Sequence, residues 1–78
     1  WIDVSIDGET VPVKLAVRDE VVVRVVAEFD EAAAAAGRLG RPVRELLESA
    51  VQAAAERGVT AGCPVPPDAR SARHPDDA

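Results

Sequence analysis

Residues 21–42 read VVVRVVAEFDEAAAAAGRLGRP, and the change of period inside this stretch decides the fold. Up to Val26 the run is dominated by valine, whose branched Cβ suits a pleated, half-buried surface, so it predicts a strand. Beyond Phe29 the period changes. Asp30 stands where its carboxylate would cap the N–H groups of a helix beginning at Glu31, and the alanines at 32–36 have the highest helix propensity available. Gly40 suits a left-handed cap after about ten residues of helix. Pro42 then opens a second helix, where its missing N–H costs nothing. Val43, Leu46, Leu47, Ala50, Val51 and Ala54 share one face of that helix, with Arg44, Glu45, Glu48, Gln52 and Glu56 on the other, and Gly58 closes it. Phe29 is the only aromatic inside the chain and is expected to plug the core between sheet and helices.

Working back toward the start, Ile2, Val4 and Ile6 alternate with Asp3, Ser5 and Asp7, the period of a strand with one buried face. Asp7-Gly8 supplies a tight hairpin, after which Val11, Val13, Leu15 and Val17 resume the alternation. Pro12 argues that this second strand starts at an edge or unpaired on one side. Asp19-Glu20 provides the next turn. Working forward instead, Pro64, Pro66, Pro67 and Pro75 fall among Asp, Arg and Ser without apolar periodicity, so little there offsets the entropy of ordering. The expected fold class is α+β: a small antiparallel three-stranded meander packed on a two-helix hairpin over residues 1–63. A Pro-rich flexible tail over 64–78 follows, disordered from residue 66.

With 78 residues, one domain is the ceiling, and a core built largely of alanine with only Trp1 and Phe29 as aromatics must be thin, so partner surfaces are expected to complete it. No Met precedes Trp1, and the chain reads as a fragment of a larger protein. A net charge of −5 with no basic run excludes a nucleic acid polymer as partner. The single Cys63 precludes an intrachain disulfide and, with His74 far off in the tail, forms no zinc site. No apolar run nears the ~20 residues needed to span a bilayer, and no signal peptide is visible, so no membrane role is expected and the cytoplasm is the expected location.

Two clusters have chemical potential. Glu28, Asp30 and Glu31 place three carboxylates at the strand-to-helix corner, a set suited to a hard cation such as Mg²⁺ or Mn²⁺ beside a nucleotide phosphate. Helix capping and the helix dipole explain Asp30 and Glu31 with no ligand at all. Lys14 and Arg18 alternate away from Val13, Leu15 and Val17, and Arg24 alternates similarly in the third strand, giving a basic stripe that would accept a triphosphate. A solvated face or a salt-bridged contact is the competing explanation. No phosphate loop, dinucleotide fingerprint, zinc-protease motif or Ser/His/Asp set occurs, and no catalytic residue can be assigned; Ser71 and His74 fall in the tail.

The run from Val25 through Glu28-Phe29-Asp30-Glu31, Gly37-Arg38-Leu39-Gly40-Arg41-Pro42-Val43-Arg44-Glu45-Leu46-Leu47 to Ala50 resembles the C-terminal part of the nickel-insertion proteins that make the nickel-pincer nucleotide cofactor. Val11-Pro12-Val13-Lys14-Leu15-Ala16 looks like a strand of that family, and Ala61-Gly62-Cys63-Pro64-Val65-Pro66 like an end seen in some members. The resemblance covers about residues 4–66. Phe29 replaces the family's usual tyrosine and Ala27 its proline. The resemblance implies a CTP-dependent cyclometallase, a lyase and nickel chelatase serving lactate racemase maturation. It would insert nickel, as substrate metal, into pyridinium-3,5-bisthiocarboxylic acid mononucleotide, with Mn or Mg beside the CTP phosphates. Lys14 falls on the family's strand lysine, and Glu28, Asp30 and Glu31 on its acidic corner. The implied partners are the rest of the same enzyme or its N-terminal part, a nucleotide-type substrate and further copies in a homo-oligomer. The chain alone is not expected to turn over. The rival reading is a non-catalytic domain-docking or oligomerisation module of a larger cytoplasmic protein.

Overall fold

The computed structural model describes residues 1–70. Strands β1 (Ile2–Ile6), β2 (Glu9–Arg18) and β3 (Val21–Ala27) precede helices α1 (Phe29–Leu39) and α2 (Val43–Glu56). The strands pair antiparallel in the order β1-β2-β3, the expected meander, and the helix pair covers one face of the sheet.

Local chemistry accounts for both hairpins. Ile6 lies opposite Glu9, and Asp7 and Gly8 both take positive φ (50° and 86°), as a two-residue turn matched to strand twist requires. Asp19 and Glu20 make the same kind of turn between Arg18 and Val21 without a glycine, at φ 53° and 65°. Each such residue costs about 1 kcal/mol. Pro12 faces the side where β3 has already ended: the β2–β3 ladder begins at Val13 opposite Ala27, and the Pro12 carbonyl accepts the Glu28 N–H at 2.9 Å. Its missing N–H therefore costs no ladder bond. Further along, Ala16 lies opposite Arg24 but Val17 opposite Val22, so Val23 is an extra residue that bulges β3.

The core is one layer deep. Ile2, Val4, Ile6, Val11 and Val13 from the sheet meet Ala32, Ala35 and Ala36 of α1 and Leu46, Ala50 and Ala54 of α2, with Val59 sealing the end. The alanines leave no bulk between layers, so both helices approach the sheet closely, α1 over β2 and α2 across all three strands. Gly40 terminates α1 at φ 65° and donates its N–H to the Ala36 carbonyl.

Three expectations are corrected. Glu28, still extended, is the N-cap residue of α1, and the Ala32 N–H reaches its carbonyl at 3.0 Å. The helix thus starts two residues early, and Asp30 lies in its first turn rather than capping it; likewise Pro42 is the N-cap residue of α2, not its first helical residue. Phe29 is no core plug. At the mouth of α1, past the last residue of β3, it is 59% exposed, and with Val25, Val26, Ala27, Leu47 and Val51 it lines an open apolar groove of about 350 Å³.

The third correction concerns residues 64–70, expected to lack contacts. The Gly62 N–H meets the Val22 carbonyl at 2.6 Å and the Val22 N–H meets the Cys63 carbonyl at 2.8 Å, so Pro64 bridges to Val21 on the free edge of β3. The chain then crosses to the outer edge of β1, where the Arg70 N–H meets the Trp1 carbonyl at 2.8 Å and its guanidinium takes both carboxylate oxygens of Asp3 at 3.0 and 3.1 Å. These polar pairings hold the segment together with Ala69, which packs half-buried against the core. The rest of the expected tail, with Ser71, His74 and Pro75, lies outside the described residues.

Candidate functional site

The sheet face opposite the helices carries the predicted basic residues. Lys14, Ala16 and Arg18 alternate onto this face of β2, and the register sets Arg24 opposite Ala16, between the two cations of β2. All three basic side chains are exposed. Lys14 and Arg18 are about 13 Å apart along the strand at the usual rise per residue, so the stripe is a shallow array of separate charges rather than an enclosed pocket.

What distinguishes these cations is how the other arginines are used. Arg38 pairs with Glu9 at 2.6 Å, Arg41 with Asp7 at 2.9 Å and Glu45 at 3.3 Å, Arg57 with Asp68, and Arg70 with Asp3. Among the described residues Lys14, Arg18, Arg24 and Arg44 have no carboxylate partner, and three of these four share the outer face of the sheet. Lys14 does have a neighbour: its Nζ lies 5.9 Å from the centroid of the Trp1 indole, a cation–π distance. Trp1 and Arg70 were not singled out from the sequence; the alternation of β1 places Trp1 beside Lys14, while nothing in the pattern announces the long-range Arg70–Asp3 pair.

The acidic corner is not assembled. Glu28 is extended and half-buried, Asp30 is exposed and Glu31 half-buried in the first turn of α1. Among the described residues no three carboxylate, imidazole or thiol groups converge as a metal site would need. These residues by themselves do not fit a divalent cation. Among the described residues two groups depart from their ordinary titration: partial burial, with Arg70 nearby, lowers the pKa of the Trp1 amino group, and a hydrogen bond from Arg57 holds the exposed Asp68 carboxyl below its ordinary value.

Over 50 residues, 64% of its length, the chain is 44% identical to the pyridinium-3,5-bisthiocarboxylic acid mononucleotide nickel insertion protein of Nocardioides sp.. The chain is thus similar to a short part of that nickel insertion protein. The match spans 13% of the nickel insertion protein's length, so most of that polypeptide has no counterpart here. No family model matches the chain, and no solved structure matches it. Among the described residues no helix is long and apolar enough to cross a membrane.

Proposed function

We propose that this chain is a segment of a nickel insertion protein, acting in cofactor biosynthesis by the CTP-dependent transfer of nickel, the substrate metal, into pyridinium-3,5-bisthiocarboxylic acid mononucleotide. The observation that carries this reading is the 44% identity to a protein of that name. The segment's own part is electrostatic. Lys14, Arg24 and Arg18 offer a phosphate-bearing nucleotide cations that no carboxylate of the described residues neutralises. An open strip of this kind binds one side of a ligand, and the remainder of the protein supplies the opposite wall, the nickel ligands and any Mn or Mg beside the phosphates. The whole protein works in the cytoplasm. The test is calorimetric titration of the longer protein with CTP: Lys14→Ala and Arg24→Ala each weaken binding about tenfold, the weight of one charge-assisted hydrogen bond, without changing Tm. Unchanged affinity in both variants removes the sheet face from the site.

A second reading is favoured by the groove lined by Phe29, Val26, Leu47 and Val51, whose apolar surface lies beside a strand edge. In it the segment docks domains or copies and contacts no nucleotide. Lys14→Ala then leaves CTP binding intact, while Phe29→Ser shifts the oligomer distribution in sedimentation.

A further inference from the structure

β2 is ten residues long, and its two neighbours share it by halves. β1 pairs only with Glu9 to Val13, and β3 pairs only with Val13 to Arg18. Pro12 turns its carbonyl toward the β3 side, where Glu28 bonds it. By strand alternation Lys14, Ala16 and Arg18 also face β3, while Val13, Leu15 and Val17 turn their backbone groups toward β1. Val13 meets Ile2 there, but β1 provides no residue opposite Leu15 or Val17.

Beside this unpaired stretch lies a depression of about 390 Å³ lined by Leu15, Val17, Val65 and Ala69, with Trp1, Lys14 and Arg70 on its rim. Val17 is 47% and Val65 38% exposed, so the slot has apolar walls and, along one side, a row of backbone donors and acceptors with no partner among the described residues. Those are the two requirements for adding a strand: main-chain groups for affinity and alternate apolar sites for register. The outer edge of β1, by contrast, is already closed at Asp3, whose carbonyl accepts Arg57 and whose carboxylate holds Arg70.

We propose that the slot along Leu15 to Arg18 receives a further strand segment of about four residues, antiparallel to β2 and collinear with β1, supplied by polypeptide preceding Trp1 in a longer protein. It rests on the reading of this chain as part of a longer protein, whose relative extends far beyond the match. The β1 register continues without a break: Trp1 falls beside Lys14, and successively earlier positions fall opposite Leu15, Ala16, Val17 and Arg18. Apolar side chains opposite Leu15 and Val17 enter the slot, against Val65 and Ala69. Side chains opposite Ala16 and Arg18 join the outer face and widen the surface on which Lys14, Arg18 and Arg24 stand.

The test compares backbone amide exchange, by NMR, in the 78-residue chain and in the same chain carrying Thr-Val-Thr-Val before Trp1, with sedimentation at the same concentration. In the 78-residue chain the Leu15 and Val17 amides exchange as freely exposed groups. The extension slows both at least about tenfold while the chain stays monomeric, and a Thr-Pro-Thr-Pro extension, lacking two of the N–H groups, does not. Protection of both amides without any extension, no added protection with it, or protection that appears only together with a dimer overturns the proposal. None of these readouts involves nickel or CTP, so a failure of the nickel-insertion reading is seen separately.

Discussion

Replacing Phe29 by alanine separates two accounts of the strand-to-helix corner. A ring wedged between sheet and helices loses about 3–5 kcal/mol on truncation to alanine, a large part of what a chain of this size has. In the structure the ring is 59% exposed, so about two fifths of its surface is covered. Full burial of such a side chain is worth about 1.5–3 kcal/mol, and the share actually covered is therefore worth about 1 kcal/mol. Alanine also suits the first turn of a helix, which offsets part of that loss. Urea denaturation of the 78-residue chain is the assay, with the slope checked for constancy so that the midpoint reports stability alone. A loss of about 1 kcal/mol or less is expected. A loss of 3 kcal/mol or more would mean that Phe29 is a core residue after all, and the apolar groove beside β3 would not exist as described.

Leu46, fully buried under α2, should behave oppositely: Leu46→Ala costs about 2–5 kcal/mol in the same denaturation experiment and leaves little folded protein at room temperature. Glu20→Gly relieves a left-handed turn position and raises stability by about 1 kcal/mol, read as a higher urea midpoint, provided the hairpin keeps its two-residue loop. The Asp68 carboxyl, lowered first by its hydrogen bond from Arg57, contributes stability above its unfolded value that is lost as pH falls through its folded value. An NMR titration should therefore show Asp68 protonating below the usual carboxylate range, and Arg57→Gln should return it to that range.

The elements that could be read from the chain are those fixed by near neighbours. Alternation of Ile2, Val4 and Ile6 with polar residues, the Asp7-Gly8 turn and the helical spacing from Val43 to Ala54 each depend on a few adjacent positions, and each appears where expected. Apart from the helix boundaries at Glu28 and Pro42, which are local, the errors arise where distant segments meet. Phe29 faces out because β3 ends at Ala27, leaving no sheet for the ring to cover. Residues 62–70 are held by Arg70 on Asp3, Arg57 on Asp68 and backbone bonds of Gly62 and Cys63 with Val22 and of Arg70 with Trp1, none of which has a periodicity to betray it. For the candidate site, alternation was enough to put Lys14 and Arg18 on one face. That Arg24 falls between them depends on the inter-strand register, and that most other arginines are already paired required the fold. Glu28, Asp30 and Glu31 are close in sequence, but among the described residues no three such groups converge in space.

The proposed function is tested most directly by nickel transfer itself, in a longer protein carrying this segment, with pyridinium-3,5-bisthiocarboxylic acid mononucleotide, Ni²⁺ and CTP, the nickel-bearing product being quantified by mass spectrometry. Product that forms only when CTP is present, together with a KM for CTP raised at least about tenfold in the Lys14→Ala/Arg24→Ala variant at unchanged Tm, is the predicted result. Absence of nickel-bearing product from the folded protein, or a double variant with the same KM as its parent, would contradict it.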